Sequence, residues 1–293
     1  MTAISIIKGL NGLQKIEVDL ETIDACMTYI AQDPSSRSLY LSRRNTDENL
    51  VERLSQHEKI TRVRRLSIMS STQNIQLFES LDCIEEINFG EPNIKFDFSK
   101  LKNLKSIGGV WSKLWTSLDS CSALQSVQVS KFPGPIQSIP NLSKLTRLSL
   151  IQPSLSTLTG LAHAACLVEL DISIARKLES IDSLISCKQT LTKLKLDSCR
   201  KITSYDVLEK LINLTTLHIT ASASLESISF IQKLPKLVSL SIYETNLIDN
   251  NLNTCISHPQ LVDFRSENKR SYFPSLNDIE TFLKGKNIEV SSV

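Results

Sequence analysis

An apolar residue followed by further apolar residues at the fourth and sixth positions recurs along this 293-residue chain at intervals near 22. The clearest copies are Leu124/Val127/Val129, Leu145/Leu148/Leu150, Leu167/Leu170/Ile172, Leu191/Leu194/Leu196, Leu214/Leu217/Ile219 and Leu237/Leu240/Ile242. Looser copies are Leu13/Ile16/Val18, Ser36/Leu39/Leu41, Val63/Leu66/Ile68, Ile84/Ile87/Phe89, Leu104/Ile107/Gly109 and Leu261/Phe264/Ser266. First positions step by 23, 27, 21, 20, 20, 21, 22, 24, 23, 23 and 24 residues. The fourth and sixth positions alternate with polar neighbours, the period of a short strand with one buried face. One such strand cannot bury its apolar side alone, so each repeat must lie against the next in a stacked, quasi-linear solid.

A second apolar phrase describes how the chain returns to begin the next strand. Leu155/Leu158/Leu161, Leu178/Ile181/Leu184 and Leu225/Ile228/Ile231/Leu234 recur at intervals of three, which predicts 3₁₀ turns or short helices over the core. The first two returns, Ile23 to Ala31 and Asn49 to Glu58, show helical spacing instead, the second after a cap at Asp47.

Taken together, cue and return resemble the leucine-rich-repeat superfamily, with irregular repeats of 20–27 residues closest to its 22-residue class. In the repeat from Leu191, Cys199, Ile202 and Thr203 resemble the cysteine-containing variety. The resemblance implies an α/β solenoid, or horseshoe, with a concave parallel sheet of about 12–13 short strands and helical or 3₁₀ returns on the convex side. It covers nearly all of residues 1–293, read as one domain: 1–62 more helical, 63–266 regular, 267–293 a C-terminal cap. Many such repeats place Asn at the ninth position as a backbone-bonding ladder. Here those positions are Glu21, Arg44, Ser71, Pro92, Ser112, Phe132, Pro153, Ala175, Cys199, Ser222, Thr245 and Lys269. Ser, Thr, Cys or water must satisfy the turn instead, and irregularity is expected near Gly108, Gly109, Pro133 and Pro135.

At the ends, Ser275 with Asp278 reads as a capping box for a helix from Leu276 to Lys284, stopped by Gly285, with Ile288 and Val290 in a last strand. Ile4, Ile7 and Leu10 match the return phrase, as if the chain began inside a repeat, and residues 1–10 are expected to pack on the Leu13 strand or pair with another molecule.

Chemistry is sparse. His57, His163, His218 and His258 occupy different repeats without metal-ligand spacing, three of them expected on solvated turns, and no nucleophile elbow, phosphate loop or His-Glu-x-x-His pair occurs. No catalytic, cofactor-binding or metal site is assigned, and no small-molecule substrate is evident. Net charge of +2 argues against a general nucleic-acid binder, and neither a long apolar span nor a signal peptide is evident. Seven scattered cysteines read as reduced thiols, with Cys83 and Cys166 as small core residues, in a cytoplasmic protein or one delivered to a host cytosol without a signal peptide.

The informative surface is the concave face. Aligned third positions read Lys15, Ser38, Arg65, Glu86, Ser106, Ser126, Arg147, Glu169, Lys193, Thr216, Ser239 and Asp263, so Arg65 should neighbour Glu86 and Arg147, Glu169 and Lys193 should form an alternating row. Arg64, Glu85 and Lys105 repeat the pattern at second positions, and Asp171 should face Lys195. Tyr40, Met69, Ile151, His218 and Tyr243 are the apolar or aromatic candidates on this face. Trp111, beside the Gly108-Gly109 gap, either folds over that gap or anchors a partner, whereas Trp115 is expected beside Leu114 and Leu118. Arg43, Arg44, Arg62, Arg64 and Arg65 form a basic patch. These features suit a non-catalytic module that binds another protein through the concave sheet. The alternatives are a regulatory or inhibitory subunit, such as a bacterial immunity or effector protein capping an enzyme, and, more distantly, an enzyme with a site assembled across repeats.

Overall fold

The computed structural model describes residues 4–8, 14–33, 37–44, 49–69 and 74–290; Leu10, Leu13, Ser36, Asp47 and Ser71 lie outside the described residues. The chain divides into two compact units, Met1–Ser130 and Lys131–Val293. In the N-terminal unit the described elements are β1 (Ser5–Lys8), β2 (Gln14–Glu17), α1 (Ile23–Gln32), β3 (Ser38–Leu41), α2 (Asn49–Gln56), β4 (Arg65–Ile68), β5 (Glu86–Phe89), β6 (Phe96–Asp97), β7 (Ser106–Val110), β8 (Trp115–Thr116) and β9 (Ser126–Ser130), besides 3₁₀ turns. Strands β2, β3, β4, β5, β7 and β9 pair in parallel in that order, and β6 pairs with β8 in a separate ribbon. The C-terminal unit holds β10 (Arg147–Ile151), β11 (Glu169–Ser173), β12 (Lys193–Asp197), β13 (Thr216–Thr220), β14 (Ser239–Ser241), α3 (Asn253–Ser257), β15 (Asp263–Arg265) and α4 (Leu276–Val290), and its six strands pair in parallel in chain order.

The register follows the cue. Leu148, Leu170, Leu194, Leu217, Leu240 and Phe264 stand side by side on successive strands, each buried, and first positions such as Leu145, Leu191 and Leu214 are fully enclosed. The returns behave as their spacing predicts. Turns of 3₁₀ helix at Asp182–Cys187, Asp206–Lys210 and Ser229–Lys233 lay Leu184, Leu208 and Ile231 on the core. Helix α1 buries Ile23, Cys26, Met27 and Ile30, the i, i+3, i+4, i+7 stripe of an α-helix, and α2 buries Leu50, Val51 and Leu54.

The absent Asn ladder has a substitute. Backbone N–H of Cys199 donates to Ser222 Oγ at 3.1 Å, and that of Ser222 donates to Thr245 Oγ1 at 3.1 Å. In turn Cys199 Sγ donates to the Ile172 carbonyl (3.6 Å), Ser222 Oγ to Leu196 (3.2 Å) and Thr245 Oγ1 to Ile219 (2.8 Å). Small hydroxyl and thiol groups thus bridge three consecutive repeats as an amide would. The turn begins at the eighth position, where Gln152, Ile174, Ser198, Ala221 and Glu244 all adopt left-handed backbone with φ of 52, 58, 55, 47 and 56°. The cue contains no glycine there, so this kink was invisible in the sequence.

Both ends depart from expectation. Strand β1 runs antiparallel to β2, with Ile6 opposite Ile16 and Ile7 opposite Lys15. Residues 5–8 therefore form a strand rather than a return, despite the three-residue spacing of Ile4 and Ile7, and their packing on the first repeat strand holds. At the other end the capping box forms, with Ser275 Oγ donating to Asp278 Oδ2 at 2.7 Å and accepting from the Asp278 N–H at 3.3 Å. Helix α4, however, does not stop at Gly285, and Ile288 and Val290 lie in helix rather than strand. Lys286, one residue beyond the glycine, donates its ammonium to the carbonyls of His258 (2.6 Å) and Leu261 (3.2 Å), which offsets the glycine's helix penalty of about 1 kcal/mol.

Candidate functional site

Because side chains alternate across a strand, the third, fifth and seventh positions of each repeat face away from the core. In the C-terminal unit this face is an ordered charge array. Arg147, Glu169 and Lys193 are in register on β10, β11 and β12; Glu169 accepts from Arg147 Nε at 2.7 Å and from Lys193 Nζ at 2.8 Å. Those two hydrogen bonds, Arg147's first, hold the Glu169 carboxyl below its ordinary pKa, and Glu169 raises that of Arg147. A second row lies at the fifth and seventh positions, where Lys195 Nζ sits 3.8 Å from both Asp171 and Asp197, and Ser173 Oγ donates to Asp171 at 2.7 Å. Next in register to Lys195 is His218, whose pKa is lowered by burial and then by Arg265 and Lys195. Tyr243 is half exposed (50%), and Ile151 is half-buried. Ser239–Asp263 and Arg265–Asp263 contacts extend the polar face at 2.8 and 3.2 Å. The third-position rule that found Glu169 would also have found the Asp263 contacts.

The N-terminal unit treats the same positions differently. Arg65 and Glu86 are neighbours in register as predicted, and Glu86 accepts from Asn88 Nδ2 at 3.1 Å. Gly108 leaves the room that Asn88 occupies, since a Cβ there would fall 2.0 Å from Asn88 Oδ1. The second-position row forms: Glu85 lies 3.7 Å from Arg64 Nε and 2.8 Å from Lys105 Nζ. Lys15 lies over the Tyr40 ring at 5.8 Å, and half-buried Met69 packs against Gly90. Much of the basic patch is internally engaged. Arg43 pairs with Glu91 at 2.9 Å and donates to the Met69 carbonyl, and Arg64 donates to the carbonyls of Thr61, Val63 and Cys83.

Several sequence readings are corrected. Trp115 packs among aromatic rings, 5.4 Å from Phe89 and 6.0 Å from Phe98, whereas Leu114, expected beside it, is 46% exposed. Trp111 meets Trp115 edge to face, with ring centroids 5.5 Å apart. The backbone itself requires glycine here: Gly109 has φ of 117°, and a Cβ would meet the Phe89 carbonyl oxygen at 1.9 Å. Cys166 is exposed and Cys83 only partly covered, because the residue just before the cue points out of the stack; Cys26, Cys121, Cys187, Cys199 and Cys255 are the buried thiols. Of the histidines only His163 is on an exposed turn. His57 is mostly covered, with Nε2 3.3 Å from Asp24, and His258 is buried, its Nε2 bonded to the Leu234 carbonyl while Nδ1 accepts from the N–H groups of Gln260 and Leu261. Among the described residues no group of three His, Cys, Asp or Glu side chains could hold a metal ion, and no helix is long and apolar enough to cross a membrane.

No family model and no curated protein matches the sequence. Solved structures do. An internalin (inlF) from Listeria monocytogenes superposes with a TM-score of 0.55 at 19% identity, over 83% of this chain and 72% of that one. An internalin C2 from the same species gives 0.41 at 18% identity over 65% and 76%, and the functional domain of InlJ gives 0.39 at 17% over 70% and 54%. Internalins are leucine-rich-repeat proteins, and the first likeness, with the parallel strands and 3₁₀ returns described above, shows that this chain has the leucine-rich-repeat fold.

Proposed function

We propose that this protein is a non-catalytic module that binds a partner protein through the strand face opposite the returns, with the C-terminal unit supplying the central contacts. The observation that carries this reading is the array on β10 to β12, in which Arg147, Glu169, Lys193, Asp171, Lys195 and Asp197 are fixed by register and by mutual contacts of 2.7 to 3.8 Å. Exposed ion pairs of this kind add only about 0–1 kcal/mol each to stability, so folding alone gains little from the array. A partner gains side chains already held in one arrangement, which lowers the ordering cost of binding. Tyr243, Ile151 and His218 at the margins supply apolar contact area.

The test is capture of partners from lysate, identified by mass spectrometry, with wild type, Glu169→Lys and Lys188→Glu on the return side. Glu169→Lys should change stability modestly and weaken capture more than about tenfold, because a desolvated charge loses its complement. Loss confined to Lys188→Glu moves the binding surface off this face and removes the proposal.

A further inference from the structure

We propose that the turns following β11 and β12 form a cationic rim that takes an acidic segment of a partner protein, through Arg176, Lys177, Arg200 and Lys201. The choice of a protein as the occupant rests on the protein-binding reading above; the rim itself rests on register and charge. Ser173 is opposite Asp197 on the strands, and beyond the turn the Glu179 carbonyl accepts from the Thr203 N–H, so both turns keep one offset of 24 residues. Arg176 therefore lies beside Arg200, and Lys177 beside Lys201. Adjacent strands are about 4.8 Å apart, and like charges placed directly alongside each other at that spacing are destabilising.

The contrast lies a few residues away on the same strands. Across the outward face, charges alternate in sign and neutralise one another, Arg147 with Glu169 and Glu169 with Lys193. At the rim four exposed cations are stacked, and among the described residues none of them joins an ion pair. Arg200 Nε donates to the Ala221 carbonyl at 3.4 Å, which lays that guanidinium along the rim with its other N–H groups free to bond an anion. Arg176 and Lys177 also line an open surface cleft of about 270 Å³ with Gln152, Pro153, Ser154 and Ile174. Holding like charges together is a cost to folding that a bound anion removes.

The occupant is an acidic peptide rather than a nucleic acid on the chemistry of the turns. Besides the cations the turns carry Ile174, Ala175, Leu178, Ser198, Cys199 and Ile202, of which only Ile174 and Ser198 are not buried, so neither turn offers an aromatic ring on which a base could stack. A segment rich in Asp or Glu needs only cations at short, regular spacing.

The experiment titrates a labelled deca-glutamate peptide into the full chain at low salt, followed by fluorescence anisotropy. It compares wild type, the variant R176A/K177A/R200A/K201A and a charge-matched control, K102A/K113A/K144A/K188A. The rim variant should bind about tenfold or more weakly, the control should bind nearly as wild type, and binding should weaken as salt screens the cations. The rim variant should also melt nearly as wild type, since it loses repulsion and no ion pair and gives up only the long, exposed Arg200–Ala221 hydrogen bond. Equal losses in both variants, a marked destabilisation of the rim variant, or binding of single-stranded DNA but not of the peptide would each overturn the proposal. Failure here leaves capture through Glu169 untouched, because that test reads a different surface.

Discussion

In the C-terminal unit the sixth positions Leu150, Ile172, Leu196 and Ile219 are aliphatic and stack in a continuous buried column. In the N-terminal unit the equivalent stretch runs Phe89, Gly109, Val129, and a large ring beside no side chain at all forces a different solution. Phe89, Phe96, Phe98 and Trp115 gather with ring centroids 4.9 to 6.3 Å apart, and the extra β6–β8 ribbon carries two of those rings. The turns differ in parallel. Cys199, Ser222 and Thr245 tie three repeats together by one repeated bond pattern, whereas Ser112 in the N-terminal unit makes its own local bridge from the Leu114 N–H to the Ile94 carbonyl. A regular repeat spreads its stability over interchangeable neighbours. An irregular one concentrates it in a few side chains that must be chosen together.

The largest expected effect tests the regular column. Leu194→Ala and Leu148→Ala, both enclosed, should each destabilise the protein by about 2–5 kcal/mol through lost burial and a residual cavity. Thr192→Ala and Thr146→Ala, just before the same strands and outside the buried column, should cost well under that. Denaturant melts showing equal costs at both kinds of position would reject the register. For the irregular column the matching substitution is Gly109→Ala, where the clash with Phe89 should make even one methyl group disruptive.

The turn ladder comes next. Ser222→Ala removes the acceptor for the Cys199 N–H and the donor to the Leu196 carbonyl together, and should cost about 1–3 kcal/mol by leaving buried backbone groups unpaired. Ser222→Asn, which restores the amide the fold commonly uses, should recover part of that loss in the same melts. No recovery would mean that these turns are too tight for an amide.

How far the sequence reaches is visible in these same residues. Period alone located the core, the outward face and the Arg147–Glu169–Lys193 row, because a one-residue shift would turn every side chain to the wrong side. It also anticipated that hydroxyl and thiol groups would replace Asn at the turn. It missed whatever depends on contacts between distant repeats: the aromatic cluster that Trp115 joins, the Lys286 bonds that carry α4 through Gly285, and the burial of His258. It missed the left-handed turn because Ile174, Ser198 and Ala221 are not residues that signal positive φ.

A third prediction concerns pH. His258 is buried with Nδ1 accepting two backbone N–H bonds, an arrangement open only to the neutral ring, and burial lowers its pKa, with Lys286 adding to the shift. The unfolded chain therefore binds this proton more readily than the folded one, and stability falls as pH drops below the ordinary histidine value of about 6.5. His218, also lowered, acts in the same direction on the outward face. Melts at pH 7.5 and pH 5.5 should show a loss in wild type that shrinks in His258→Gln. An equal loss in the variant would assign the acid sensitivity elsewhere.

The smallest expected effect lies at Ile174, where the regular unit departs from its own economy. A β-branched residue holds φ of 58°, in a conformation that costs an L-residue about 1–2 kcal/mol, while its backbone N–H still donates to the Asp197 carbonyl at 2.8 Å. The neighbouring repeats use Ser198 and Ala221 at the same place, with no branch at Cβ to crowd the turn. Ile174→Asn keeps the donor and suits the left-handed region, so it should raise stability by about 1 kcal/mol, less whatever apolar burial the half-covered side chain gives up. Ser198→Asn should gain less, because less strain is relieved. If thermal melts show Ile174→Asn to be destabilising, the isoleucine contributes more to the packing beside Arg176 and Lys177 than its backbone costs, and the strain there is a consequence of shaping that cleft.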